Sequence, residues 1–271
     1  GANGPDNPNG SNGSGPGGAD GGRAIGAPWI ALLLPYLDQT AHYNGFSKIV
    51  SERPEVVDWF GNGTYFNVGI TVGRAHLPAM LCPTHPFRKE LMGNGTGMED
   101  LARGNYAASY GKGRYGQVYN VNPTVGGVFG TNSNFKMRDL VDGTTNTIAF
   151  SELKYRAFRR KGDHQDLPTL DTRGTAFYGV MGANIFSTLN GPNSAVPDGV
   201  WGCRTGLSEG MPCVQIGSPY SELHAAARSY HTGGVHATMG DGSVRFFSDN
   251  INLSIWQALG TRSGGEVLGE F

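Results

Sequence analysis

Tyr230-His-Thr-Gly-Gly-Val-His-Ala-Thr-Met-Gly-Asp-Gly-Ser-Val-Arg-Phe-Phe-Ser-Asp249 reads as a β-hairpin. Val235 to Met239 is an apolar and small strand. Ser243 to Phe247 is a second strand with Val244 and Phe246 on one face. Asp241-Gly242 between them is the dipeptide that best tolerates the positive φ of a tight two-residue turn. His231 stands ten residues before Asp241, so the same run also reads as His, nine residues, Asp-Gly.

Outward from the hairpin, Leu253, Trp256 and Leu259 share one face of a helix that Gly260 stops. Upstream, Thr147 to Ser151 is a β-branched and aromatic strand, preceded by a turn at Asp142-Gly143 and a helical turn over Arg138 to Val141. Asn105 to Tyr110 reads as a strand with Tyr106 and Tyr110 on one face. Leu77 to Cys82 reads as another, and Asn62-Gly63 as a turn. Trp29, Leu32, Leu33, Tyr36 and Leu37 recur at helical spacing. That spacing predicts one or two helical turns broken near Pro35, with this stripe in the core. Residues 156–224 are Gly-, Pro- and Asn-rich with few periodic segments and read as a long loop insertion, with Phe177 to Val180 as its one candidate strand.

Composition agrees with a strand- and loop-rich chain. Of 271 residues, 44 are Gly, 38% are hydrophobic and only 16% are charged. The length suffices for a sizeable core. Net charge is −1, which gives no general electrostatic attraction to nucleic acid or an anionic membrane. Arg156, Arg159, Arg160 and Lys161 are the only basic cluster and read as a solvated face. No stretch approaches the roughly 18 apolar residues of a membrane helix, and there is no signal peptide. Residues 1–25 read as a flexible Gly/Asn-rich linker, and 26–271 as one globular domain. The abrupt opening, Gly-Ala-Asn-Gly-Pro, is expected to be a cut through that linker with something N-terminal missing.

Cys203 and Cys213 lie in a Gly/Pro-rich segment. A disulfide closing that short loop fits an oxidising compartment and would contribute about 2–3 kcal/mol. Cys82 is left as a buried free thiol or the partner of a cysteine outside this chain.

Seven blocks, in order, carry a family resemblance. They are Leu33-Leu-Pro-Tyr-Leu-Asp-Gln39, Leu81-Cys-Pro83, Asn105-Tyr106, Arg138-Asp-Leu-Val-Asp-Gly-Thr-Thr-Asn-Thr147 with Glu152, Asn193-Ser194, His231 with Asp241-Gly-Ser-Val-Arg-Phe246, and Trp256 to Arg262 with Gly264-Gly-Glu266. Together they resemble the planctomycete-type pseudopilin-like family with a C-terminal His-x9-Asp-Gly motif (DUF1559). The resemblance implies a type IV pilin-like head: α+β, with an antiparallel sheet, short helices and long Gly-rich loops. The family's apolar N-terminal helix is missing from this chain.

The candidate chemistry is sparse. His231 and Asp241 stand at opposite ends of the first hairpin strand, roughly 30 Å apart at about 3.3 Å per residue. Direct contact would require Gly233-Gly234 to bend back; otherwise His231 caps a loop and Asp241 makes the turn. No strand or helix period gathers His224, His231 and His236, and no Cys-x2-Cys pair exists, so zinc is set aside. Calcium is the better metal hypothesis. Asp139, Asp142, Glu152 and Asp241 supply oxygens, and major pseudopilins are similar in using a calcium site to stiffen a head loop. The same residues could equally be turn formers. Gly111-Lys-Gly-Arg-Tyr-Gly116 is followed by no helix and no suitably placed acid, which rejects nucleotide binding. Tyr106, Tyr110, Tyr115, Tyr119, Phe177, Tyr178 and Trp201 sit in Gly/Asn-rich loops, as a candidate glycan or protein surface or as filling beneath the loops. Tyr106, Tyr110, Tyr115 and Trp201 represent that surface.

The expectation is therefore a non-enzymatic structural subunit of a type IV pilus-like or type II secretion pseudopilus-like assembly, located extracellularly, at the cell surface or in the periplasm. Its partners would be copies of itself, other pilin-like subunits and the secretion or pilus machinery. It would bind no nucleic acid and would meet the membrane only through the absent helix. The alternative is a surface or periplasmic glycan- or solute-binding module.

Overall fold

In the computed structural model, residues 28–52, 73–87, 91–92, 101–118, 122, 124–130, 133–156, 171–203, 210–216 and 220–266 are described. The linker at 1–25, the turn at Asn62-Gly63, Tyr119 and most of the basic cluster lie outside them.

The fold is α+β and is organised on a five-stranded sheet of order β5-β3-β4-β8-β9. Its strands are β3 (Tyr106–Ser109), β4 (Ile148–Glu152), β5 (Ile185–Phe186), β8 (Gly234–Met239) and β9 (Val244–Ser248). All pairings are antiparallel except β3 with β5. Two small pairs stand outside this sheet: antiparallel β1 (Leu91–Met92) with β2 (Leu101–Ala102), and parallel β6 (Asp198–Val200) with β7 (Cys213–Gln215).

The hairpin is present, but its turn is longer than the Asp-Gly dipeptide suggested. Met239 N donates to Ser243 O at 2.8 Å, and Gly242 N donates to Met239 O at 3.0 Å. Gly240, Asp241 and Gly242 thus form a three-residue loop, and only Gly242 takes a positive φ, 86°. A type I turn followed by a left-handed glycine matches the twist of the strands as well as a two-residue turn does. Val244 and Phe246 do share a face, but it is the open one, 63% and 49% exposed. Phe247 points inward.

The inner face of the sheet carries Ala107, Ile148, Val235, Ala237, Met239 and Phe247, covered by Trp256 and Leu259. These last two belong to the helix α3 (Leu253–Leu259). Asn252 caps this helix by accepting from Ser254 N and Ile255 N. Its stop, Gly260, is right-handed, not left-handed as a glycine C-cap often is. A bulge between Ile148 and Phe150 re-aims β4. Ile148 joins the inner core, while Phe150 joins the opposite face beside Tyr106 and Thr238. One inserted residue thereby sets the side on which Glu152 emerges.

At the N-terminus, α1 (Trp29–Leu33), a 3-10 turn over Leu34–Leu37 and α2 (Thr40–Glu52) follow in sequence. Pro35 opens the 3-10 turn instead of breaking the run. The buried stripe is Ile30, Ala31, Leu34 and Phe46, with Leu32 and Tyr36 exposed. Leu77 to Cys82 is no strand: Pro78–Met80 form a 3-10 turn.

The stretch read as a loop insertion departs most from expectation. Residues 171–203 are largely buried, and Tyr178, Val180, Met181, Ala183, Ile185, Val200 and Cys203 make up much of a second core. Phe177 to Val180 is irregular, not a strand. Cys203 and Cys213 form the expected disulfide, with a Cα–Cα distance of 6.4 Å, next to the β6–β7 pair. The Cys203→Ala/Cys213→Ala double variant should lose about 2–3 kcal/mol of stability, the loop-closure entropy of ten residues. Urea unfolding of both forms, with the wild-type disulfide verified by mass, measures the difference.

Candidate functional site

The outer face of β4, β8 and β9 floors a pocket of about 410 Å³. Tyr106, Phe150 and Val244 give it apolar walls. Cys82, Glu152, His231 and His236 give it polar groups. Each arrives from a different element. Cys82 follows the 3-10 turn at Pro78–Met80, and its N–H donates to Asn105 Oδ1 at 2.9 Å. Asn105 is itself buried and donates through Nδ2 to Leu153 O at 3.0 Å. Glu152 is the last residue of β4. His231 precedes β8, with its N–H bonded to Ser229 Oγ at 3.1 Å, and His236 lies within β8.

Glu152 is 2% exposed. One carboxylate oxygen accepts from His236 N–H at 2.7 Å. The other lies 3.0 Å from His231 Nε2. The same Nε2 lies 3.6 Å from Cys82 Sγ. Cys82 is buried, is not disulfide-bonded, and also contacts Thr84 Oγ1 at 3.1 Å. The rings of His231 and His236 meet edge to face with centroids 4.5 Å apart, and His236 leans on Phe246. Burial first, then the neighbouring Cys82 and Glu152, push the Tyr106 phenol up to about 12. It keeps its proton at neutral pH.

The four acids assigned to calcium are not brought together. Among the described residues, the one group of three or more His, Cys, Asp or Glu side chains with ligand atoms within 4.8 Å of one another is Cys82, Glu152 and His231. Asp139 instead accepts from Lys136 N–H at 2.8 Å. Asp142 binds the C-terminal segment, accepting from Gly264 N at 2.7 Å, Gly265 N at 2.9 Å and Thr261 Oγ1 at 3.2 Å. Asp241 takes two hydrogen bonds from Ser243, which hold its carboxyl below the usual range. The two ends of the motif therefore act separately: Asp241 with Gly242 makes the turn, and His231 pairs with Glu152. Of the aromatic surface, only Tyr106 lines the pocket. Tyr115 is buried, Tyr110 stacks on it, and Trp201 packs edge-on against Tyr178 over the second core.

A third histidine, His85, follows Cys82 and donates its backbone N–H to Cys82 O at 3.1 Å. His85 is buried against Tyr155, with ring centroids 4.0 Å apart. Its Nδ1 bonds Phe87 O at 2.9 Å, and its Nε2 accepts from Tyr155 N–H at 3.4 Å. Burial is the main cause holding its pKa below the usual 6.5. Protonation therefore favours the unfolded chain. The contribution of His85 is complete above about pH 6.5 and is lost as pH falls toward its lower folded value. The urea midpoint should drop between pH 7.5 and pH 5, and His85→Gln should flatten that drop. An equal drop in the variant would assign it to other groups.

The class defined here is an α+β domain with a pocket on the outer sheet face, largely apolar and carrying Cys82, Glu152, His231 and His236. The chain belongs to the SBP_bac_10 family, described as a protein of unknown function (DUF1559), whose sequence profile matches residues 5–254. Neither the curated proteins nor the solved structures yield a match. Among the described residues, no helix is long and apolar enough to cross a membrane.

Proposed function

We propose that this chain is the head domain of a structural subunit in a pilus-like or pseudopilus-like assembly outside the cytoplasm. The reading is carried by the placement of the N-terminal helical segment on the sheet. Trp29 of α1 packs on Phe150 of the central strand β4 with centroids 4.9 Å apart, and its Nε1 donates to Asn184 O at 2.7 Å. The chain thus approaches an α+β head by way of a helix, as pilin-type subunits do. Leu32 and Tyr36, exposed at 56% and 84%, are apolar side chains of this segment that a neighbouring copy or another pilin-like subunit would cover. The disulfide fits an oxidising compartment.

The proposal includes no turnover. A nucleophile–base relay needs one ring nitrogen facing the nucleophile and the other facing the orienting acid. Here Cys82 and Glu152 both meet Nε2 of His231.

The pocket favours a second reading, a solute-binding module. Antibodies raised against this domain separate the two on intact cells. Label along surface filaments, with the protein in the sheared fraction, is the expected result. A protein that is uniformly periplasmic and monomeric would sink the assembly reading and leave solute binding.

A further inference from the structure

The geometry points to a transition-metal site, suited to zinc, formed by Cys82, Glu152 and His231 at the floor of the sheet-face pocket. This inference does not depend on the assembly reading. Three side chains from separate parts of the chain present a sulfur, a carboxylate oxygen and a ring nitrogen, all within 4.8 Å of one another. All three line the same pocket. Zinc–ligand bonds of about 2.3 Å to sulfur, 2.0–2.1 Å to nitrogen and 2.0–2.2 Å to oxygen, at tetrahedral angles, place S and N about 3.6 Å apart and N and O about 3.3 Å apart. The distances here are 3.6 Å for Cys82 Sγ to His231 Nε2 and 3.0 Å for His231 Nε2 to Glu152 Oε1. Two of the three separations thus already lie near those a tetrahedral ion needs, and the third is within 4.8 Å.

The donor set selects the metal class. Calcium and magnesium take oxygen ligands, six or more for calcium. A thiolate with an imidazole and a carboxylate suits zinc and its neighbours in the first transition row. A thiolate and a carboxylate together also balance the two positive charges of the ion, so the buried cluster would be neutral. The outer shell is in place as well. Thr84 Oγ1 reaches the sulfur at 3.1 Å. His236 N–H holds the second oxygen of Glu152, and Asn105 holds the backbone of Cys82. Such contacts fix ligand orientation. Three protein ligands leave a fourth position, and it faces the pocket. Water or an anionic group of a small solute would occupy it, as in zinc sites that keep an open coordination position.

The test uses the metal alone. The intact chain, stripped with a chelator and kept under anaerobic conditions that leave the Cys203–Cys213 disulfide intact, is titrated with cobalt(II) and then zinc(II). The expected result is one equivalent of cobalt bound, with a sulfur-to-cobalt charge-transfer band and the intense visible bands of four-coordinate cobalt. Zinc should displace it. Cys82→Ser should remove the charge-transfer band, and His231→Gln should weaken zinc binding at least tenfold. Glu152 also accepts the His236 N–H, so Glu152→Gln is the variant that keeps an acceptor there. It too should weaken zinc at least tenfold while circular dichroism stays native. Zinc bound equally by wild type and Cys82→Ser, cobalt bound without a sulfur band, or no binding by the folded wild type would each overturn the site.

Discussion

Asp198→Ala is expected to destabilise the fold by about 3–5 kcal/mol, more than any surface substitution, because it strands a buried guanidinium. Asp198 and Arg228 are each 1% exposed. Arg228 grips the carboxylate with two nitrogens, Nε to Oδ2 at 2.7 Å and Nη2 to Oδ1 at 2.9 Å. Asp198 Oδ1 also accepts from Ala226 N–H at 3.0 Å, and the remaining Arg228 donors reach Ser194 O at 2.7 Å and Val196 O at 3.1 Å. The pair therefore ties β6 to the segment that leads into His231 and β8. Removing one member leaves an uncompensated buried charge. Replacing both by apolar residues of similar volume removes the charge with its partner, and such exchanges are often neutral or stabilising. Asp198→Ala should thus fall well below the Asp198→Leu/Arg228→Met double variant in urea unfolding. Equal losses would mean the pair contributes by packing alone.

That pair was not legible in the sequence, for the same reason the metal candidate was not. Asp198 and Arg228 are 30 positions apart, and Glu152 and His231 are 79 apart. Cys82 and His231 are separated by 149. Local periodicity speaks for neighbours a few residues away. It cannot show which strand end meets which loop. The pieces were nonetheless visible one at a time, because Cys82, Glu152 and His231 each stand in a block that carries the family resemblance. What joins them is the bulge in β4, which turns Glu152 toward the pocket, and the approach of His231 at the start of β8. The opposite holds for the hairpin, β4 and the C-terminal helix, where period, turn residues and caps agree within a dozen residues. Near Pro35, local reading went astray in phase. The buried stripe runs through Ile30 and Leu34, four apart as on an α-helix and one position out of step with the pattern read through Trp29, Leu33 and Leu37. Residues 171–203 went astray because burial there rests on long-range packing without period. Gly-rich sequence permits that packing but does not announce it.

Trp256→Ala should cost a further large amount, about 3–5 kcal/mol, by emptying the centre of the inner core. Trp256 is fully buried and meets Phe247 edge to face, with centroids 5.5 Å apart. Its indole N–H donates to Asn190 O at 2.9 Å. Two losses are therefore superimposed: the cavity beneath β8 and β9, and a carbonyl left without its donor. Trp256→Phe separates them. It keeps most of the ring volume and removes the donor, so it should cost about 1–3 kcal/mol. The two variants also bear on the pocket, because the hairpin they undercut carries Val235, Ala237 and Phe247 inward and His236 and Val244 outward on the same strands. Loss of inner packing should loosen the outer face. Amide exchange at Val235, His236 and Ala237 should accelerate more in Trp256→Ala than in Trp256→Phe. Unchanged exchange in both, despite lowered global stability, would mean that the β4–β8–β9 ladder holds the pocket face without the helix behind it.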